Sequence, residues 1–244
     1  MLGTNPKDWK VLVWLNMTLN SGDDISGVVV GIGANVLGFQ EGDRVAAFHV
    51  MQSPHGSFAE YAIAPQYTTF RVPDAVSYEE ASTIPLAAYT AALALFHEQQ
   101  YPSPWDNAGK ESIQSPLIIY GASSAVGAFA IKLAQFARIH PVIAVGSKNS
   151  GFLLPFLDFA QGDRLVDYTA YGTSDELAEA IRGAVKEAGI KDGSIYRSVD
   201  AVATPQTSKL QIFLFLPGSF FPLLSVALFY SMAWLMFSLH LEQP

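Results

Sequence analysis

Cysteine is missing from this chain altogether, which removes disulfides as a source of stability and the thiolates from which structural zinc sites are usually built. Histidine is sparse. The five copies, His49, His55, His97, His140 and His240, are scattered, and no pair has the helical spacing of a metal site, so zinc chemistry is not expected. Positive charge is also short: 14 Lys and Arg against 22 Asp and Glu leave a net charge of −8, with no basic patch, which argues against a nucleic-acid partner. The first residues, Met1-Leu2-Gly3-Thr4-Asn5-Pro6, lack the apolar core of a secretory signal. Near the other end charge itself disappears. No Asp, Glu, Lys or Arg occurs from 212 to 239, a run longer than the roughly 20 residues a membrane helix needs.

What remains is 244 residues, half of them apolar, enough for one large domain or two small ones with cores of their own. The stretch 117–148 organises the rest. Leu117-Ile118-Ile119-Tyr120 is a short apolar run ending in Gly121, after which the period turns helical. From Val126 the apolar positions fall at Phe129, Ala130, Leu133, Ala134 and Ala137, the stripe of a helix lying on a sheet, with Lys132, Gln135 and Arg138 on the wet side. Pro141 then ends the approach, and Val142-Ile143-Ala144-Val145 reads as a second buried strand closing on Gly146. The pattern is a β-α-β unit.

Its turn, Gly121-Ala122-Ser123-Ser124-Ala125-Val126-Gly127, strings small residues together where a strand hands over to a helix. Free N–H groups and the positive end of the helix dipole converge at such a place, so a pyrophosphate could dock there, with Ser123 and Ser124 adding hydroxyls. The alternative is an ordinary tight β-α turn. At the end of the second strand an NAD site wants an acid for the ribose 2′-OH, whereas a 2′-phosphate wants hydroxyls and a cation. The chain offers Ser147, Lys148 and Asn149, with no acid until Asp158, which favours NADP(H) unless Lys148 is merely a solvated loop lysine.

Before this unit, Asn5-Pro6-Lys7-Asp8-Trp9-Lys10 carries turn chemistry and leads into the apolar stretch Val11, Leu12, Val13 and Trp14. Ser21-Gly22-Asp23-Asp24 reads as a turn, 25–33 as a strand with Gly27 at a bulge or close approach, 38–43 as a turn, 44–48 as a strand and 56–63 as an alternating strand. Short strands at this spacing suggest a small β-rich domain. Ser77-Tyr78-Glu79-Glu80 is a capping box before a helix, 86–99 a second, alanine-rich helix, and 102–116 a polar loop. After the β-α-β unit come a helix over 151–161 broken at Pro155 and a strand over 164–168. A capping box at Thr173 to Glu176 then opens a helix whose buried stripe is Leu177, Ile181, Ala184, Val185 and Ala188, closed by Gly189. A fourth strand follows over 195–202. Strands alternating with helices predict a parallel sheet.

Taken in order, the runs Gly22-Asp23-Asp24-Ile25-Ser26-Gly27-Val28-Val29, Phe39-Gln40-Glu41-Gly42-Asp43-Arg44-Val45, Gly56-Ser57-Phe58-Ala59-Glu60-Tyr61, 85–93 and the 121–127 turn resemble the medium-chain dehydrogenase/reductase superfamily. More narrowly they resemble its zinc-independent quinone-reductase and fungal trans-enoyl-reductase branch, over about residues 3–204. The resemblance implies an α/β chain: a partial GroES-like β domain over 1–85, a bridging helix and loop over 86–116, a partial Rossmann domain over 117–205 and an apolar tail over 206–244. It implies NADPH as cofactor, a small-molecule substrate, and hydride transfer to an activated double bond or a quinone carbonyl. By that resemblance Asp8 and Lys10 lie beside the cofactor and Thr90 near the nicotinamide. Ser124, Ala125, Val126 and Gly127 flank the pyrophosphate, Ser147 and Lys148 meet the 2′-phosphate, and Tyr168 borders the adenosine ribose.

Two departures from the family pattern are expected to matter. The chain starts close to the Asn-Pro motif, where the family has further strands, and after the fourth strand it runs into Leu210-Gln211-Ile212-Phe213 in place of the second half of the dinucleotide crevice. The tail has three readings: a membrane helix over about 223–239 between proline and chain end, a greasy cover for the open sheet, or translated non-coding sequence, the last being preferred. The expected product is a shortened cytoplasmic oxidoreductase, monomer or homodimer. The rival is a non-catalytic fragment, either membrane-tethered or partner-binding.

Overall fold

In a computed structural model of the chain, residues 1–16, 18–105, 112–190, 197–204 and Thr207 are described. The expected tail over 206–244, with its membrane-helix reading, otherwise lies outside them, as do 106–111 of the polar loop and 191–196 before the last strand. Among the described residues no helix is long and apolar enough to cross a membrane. The chain divides into two compact units, Met1–Tyr89 and the part from Thr90 onward.

In the first unit the Asn-Pro stretch is a helix, α1 (Lys7–Leu15), where turn chemistry alone was expected. Pro6, at φ −55°, is pre-set for a helix start, the Asp8 carboxylate reaches back to the Asn5 N–H at 2.8 Å, and left-handed Asn16 closes the far end onto the Leu12 and Val13 carbonyls. Three strands, β1 (Asp24–Val28), β2 (Arg44–Phe48) and β3 (Thr69–Arg71), form an antiparallel sheet in the order β1-β2-β3, with Asp24 opposite Phe48 and Val45 opposite Arg71. Ala46, Val72 and Ala81 are its small buried cluster.

Several expectations for this unit need correcting. The strand expected over 25–33 stops at Val28: Val29 still exchanges hydrogen bonds with Asp43 and Gly42 at 3.0 and 2.9 Å, but Val30 and Ile32, at 65% and 47% exposure, pair with no strand among the described residues and line an open groove of about 380 Å³. Gly27 is no bulge: it sits in register opposite Val45, and a Cβ there would meet nothing within 4 Å. The alternating segment 56–63 is not a strand. Its Ile63 N–H reaches the His55 carbonyl at 3.1 Å, Phe58, Tyr61 and Ile63 are exposed, and no ladder forms. The short β3, unexpected from sequence, is instead the strand that pairs with β2. The Ser77/Glu80 capping box does open α2 (Tyr78–Ala81), and the alanine-rich helix is α3 (Pro85–Ala92) continued by a π-helical stretch, Leu93–Glu98.

The second unit is built from β4 (Ile113–Tyr120), α4 (Ala125–Phe136), β5 (Ile139–Gly146), β6 (Arg164–Asp167), α5 (Ser174–Glu187) and β7 (Arg197–Asp200). All four strands run parallel in the order β6-β5-β4-β7. Because side chains alternate along a strand, Leu117 and Ile119 pack with Ala130, Ile131 and Ala134 of α4, while Ile118 turns the other way to meet Leu177, Ile181 and Val185 of α5. Helices therefore cover both faces, as the β-α alternation implied, and an antiparallel sheet precedes a parallel α/β sheet, as expected.

β4 begins four residues earlier than its apolar run, inside the expected polar loop. Pro141 does not stop β5 but lies within it, after a cis His140–Pro141 peptide and beside the place where the β4 register skips from Gln114 to Leu117. A ladder irregularity is where a residue without an N–H is tolerated. The 151–161 segment forms two 3₁₀ turns, Ser150–Phe156 containing Pro155 and Phe159–Gln161, in place of a helix. The Thr173/Glu176 capping box caps α5, and Gly189, at φ +90°, follows the C-cap Ala188.

Candidate functional site

The parallel sheet directs the carboxyl ends of β4, β5, β6 and β7 to one edge, the place where such sheets hold ligands. At the end of β4 the chain turns through Gly121, at φ +73°, against which Val202 packs so closely that a Cβ would come within 2.5 Å of its methyl. Ser124 is the N-cap of α4 and accepts the Gly127 N–H at 3.0 Å. Gly127 itself lies on the turn: a Cβ there would collide with the Gly121 carbonyl oxygen and come within 2.8 Å of the Ala122 Cα. Two more amides of the turn are consumed, Ala122 N–H by the Val145 carbonyl of β5 and Ser124 N–H by the Gly121 carbonyl. The amides of Ser123, Ala125 and Val126 have no acceptor among the described residues. Ser123 and Ala125 are exposed residues and Val126 is half-buried, at the positive end of a 12-residue helix. The Ser123 hydroxyl shares a hydrogen bond with Ser150 Oγ, and this pair packs against Gly146, where a Cβ would also collide.

At the tip of β5, Ser147 Oγ accepts the Asn149 N–H at 3.3 Å and Lys148 is exposed. Folding adds a group that linear distance hid. Asp167, the last residue of β6, stands opposite Gly146, and its carboxylate accepts the Thr169 hydroxyl at 2.7 Å and the Thr169 N–H at 2.9 Å. Those bonds hold it below the usual carboxylate range, helped by the charge and backbone N–H of Lys148. An acid thus sits beside the 147–149 segment although none occurs in sequence before Asp158. The signal was available in principle, since neighbouring parallel strands bring their ends together. The next residue, Tyr168, is 42% exposed, its ring 6.1 Å from that of Tyr120, whose hydroxyl is pushed up by burial and then by Tyr168 and Asp200. Asp200, fully buried at the end of β7, accepts the Val202 and Ala203 N–H groups at 2.9 Å each.

Ser123, Ser124, Ala125, Val126, Gly127, Ser147, Lys148 and Tyr168 therefore gather at the carboxyl ends of β4, β5 and β6. Thr90 is buried in α3, and its hydroxyl has no partner among the described residues. Asp8 and Lys10 belong to the first unit, on α1. Lys10 is half-buried, its ammonium 5.7 Å from the Trp9 ring centre.

Asp8 joins a buried network that no linear pattern announces. Lys7, 6% exposed, donates to the Asp23 carboxylate and to the Ser21 carbonyl at 2.6 Å, and its Nζ lies 2.9 Å from Asp8 Oδ1, at an angle that makes an ion pair without a hydrogen bond. The other Asp23 oxygen meets His49 Nδ1 at 2.9 Å. His49 Nε2 faces the Pro54 carbonyl at 2.9 Å and Ser53 Oγ at 3.0 Å, and Ser53 already donates to the Val50 carbonyl. Neither neighbour offers Nε2 a hydrogen, so the geometry suits an imidazolium with both nitrogens protonated. Burial works against that charge, but the Asp23 bond, the Pro54 carbonyl and the Asp23 charge outweigh it and raise the pKa. Two cations and two anions then balance. Beside them Asp24, 2% exposed, accepts Asn5 Nδ2 and the Leu86 N–H at 2.7 Å each, and burial raises its carboxyl to about 6. Among the described residues no group of three or more His, Asp or Glu could hold a metal ion.

Residues 1–74 match the alcohol dehydrogenase GroES-like domain. The Trans-enoyl reductase fsr4 of Gibberella fujikuroi is 41% identical over 168 residues, covering 68% of this chain and 49% of that protein. The Trans-enoyl reductase traG of Penicillium crustosum is 31% identical over 215 residues, 84% of this chain and 55% of that one. Among solved structures, the Escherichia coli quinone oxidoreductase complexed with NADPH superposes with a TM-score of 0.62 at 17% identity, over 88% of this chain and 59% of that one, which shows likeness of fold. The chain spans about half the length of the curated relatives it matches.

Proposed function

We propose that the chain, which belongs to the medium-chain dehydrogenase/reductase superfamily in its quinone-oxidoreductase and fungal trans-enoyl-reductase branch, is an NADPH-dependent reductase of an activated double bond or a quinone carbonyl. The observation that carries the reading is the 121–127 turn: amides of Ser123, Ala125 and Val126 without an acceptor among the described residues, at the start of α4, and a Gly127 that admits no side chain. Such a cradle suits a pyrophosphate. NADPH, when bound, would supply the hydride, so no protein nucleophile is required.

The residues of this chain have binding work to do. The free amides and the α4 dipole offset the pyrophosphate charge, the Ser124 hydroxyl fixes the first turn that presents them, and Ser147 and Lys148 offer a hydroxyl and a cation to a 2′-phosphate. Tyr168, with Tyr120 behind it, offers an aromatic wall for the adenosine. Asp8, Lys10 and Thr90 are assigned to the nicotinamide end by family likeness alone. A small-molecule acceptor, without nucleic acid, belongs to the same proposal.

Titrating the purified chain with NADPH while following intrinsic fluorescence and melting temperature tests the reading. A saturable shift is expected, lost in Gly127→Val. Absence of any shift at millimolar NADPH would remove the proposed activity.

A further inference from the structure

We propose that Asp167 limits this chain's preference for NADPH over NADH, by placing a fixed negative charge next to the segment that offers Ser147 and Lys148 to the 2′-phosphate. The inference rests on the reading of the β5 tip as the adenosine end of a dinucleotide site, and adds a residue that the family likeness does not assign to it.

The placement follows from the sheet. β5 and β6 are parallel neighbours with Gly146 and Asp167 as Cα partners, so the backbone of Asp167 stands one strand's width, about 5 Å, from that of the residue that precedes Ser147. It is held there. Thr169 binds it through both hydroxyl and backbone N–H, making Asp167 the cap of the 3₁₀ turn Tyr168–Ala170, and both bonds orient its carboxylate. Asp167 and Lys148 interact electrostatically, and the Lys148 backbone N–H also favours the ionised carboxylate, yet the two side chains form no ion pair within 4.0 Å. The exposed Lys148 ammonium is thus not consumed by a salt bridge to this acid.

Two ligands would feel this arrangement differently. A 2′-phosphate gains the Lys148 cation but meets the Asp167 carboxylate, and like charges at such separations in a solvated cleft repel by an amount worth about 5- to 20-fold in affinity. A bare ribose 2′-OH suffers no repulsion and finds an acceptor. Lys148 and Asp167 therefore pull in opposite directions, and discrimination is narrower than Ser147 and Lys148 alone would give.

Calorimetric titration of the intact chain with 2′,5′-ADP and with 5′-ADP reads the subsite without needing the nicotinamide end. Asp167→Asn retains an oxygen for the Thr169 turn and removes the charge. It is expected to tighten 2′,5′-ADP by about 5- to 20-fold while leaving 5′-ADP unchanged or weaker. Asp167→Glu, which keeps the charge, is expected to hold the wild-type ratio of the two affinities. Equal changes for both ligands in Asp167→Asn, or weaker 2′,5′-ADP binding, would overturn the inference and leave the dinucleotide reading standing. A wild-type chain that binds neither ligand would remove that reading and the inference with it.

Discussion

Lys7 and Asp23 form an ion pair in which neither partner reaches solvent, at 6% and 1% exposure. The pair ties the first turn of α1 to the residue before β1, and through the second Asp23 oxygen to His49 just past β2. Isolated pairs of this kind add little net stability because desolvation offsets attraction, but breaking one strands a charge.

Lys7→Met is therefore expected to destabilise the first unit by about 3–5 kcal/mol, since Asp8 would lose its cation and Asp23 would be left with His49 alone. Urea denaturation of Lys7→Met, Asp23→Asn and the double variant checks this. The double variant should cost clearly less than the two singles added together. Additive effects would mean that the pair carries no coupling.

Acidity should help this unit at first. The Asp24 carboxyl is raised from 3.8 to about 6, so the folded chain holds a proton that the unfolded chain releases. Its contribution is complete below about 3.8 and lost as pH rises through about 6; at one unit per 1.36 kcal/mol it amounts to about 3 kcal/mol. His49, also raised, has the same sign, with stabilisation present below 6.5 and lost as pH climbs through its folded value. Melting curves from pH 4.5 to 8 should show a decline toward the alkaline side that Asp24→Asn reduces. An unchanged slope in that variant would exclude Asp24 as its source.

Two glycine replacements should differ in sign. In Gly127→Ala the new methyl meets the Gly121 carbonyl, so α4 must shift and the chain should lose about 1–3 kcal/mol together with NADPH binding. Gly183 lies inside α5 with nothing within 4 Å of its missing Cβ, and Gly183→Ala should gain about 0.5–1 kcal/mol. Thermal denaturation of both proteins beside wild type decides it.

Removing a cap should be milder. Ser124→Ala deletes the acceptor for the Gly127 N–H and is expected to cost about 1 kcal/mol, with weaker binding of pyrophosphate-containing ligands. A Ser124→Asp control, which restores an acceptor, should recover stability but not anion binding, because a carboxylate would then face the phosphates. Equal binding by both variants would detach Ser124 from the site.

Local chemistry was legible and distant chemistry was not. The capping boxes at Ser77/Glu80 and Thr173/Glu176 involve residues three apart, and each opens a helix. The period change at Gly121 likewise marks a real strand-to-helix turn, because one residue's conformation decides it. Alternation at 56–63 misled because a strand needs a neighbour, and the pairing went to the short polar Thr69–Arg71. Lys7 is of a residue type usually solvated, and only the fold reveals the carboxylates that make its burial tolerable. Asp167 escaped the cofactor reasoning for a similar reason: it lies 21 residues beyond Gly146 in sequence and directly opposite it in the sheet.

That last pairing means the lysine follows one strand and the acid ends its neighbour, both distinct from the glycine turn that would grip the diphosphate. Coenzyme choice would then be an independently adjustable trait, retuned at a strand terminus by one replacement while the anchoring hardware stays untouched.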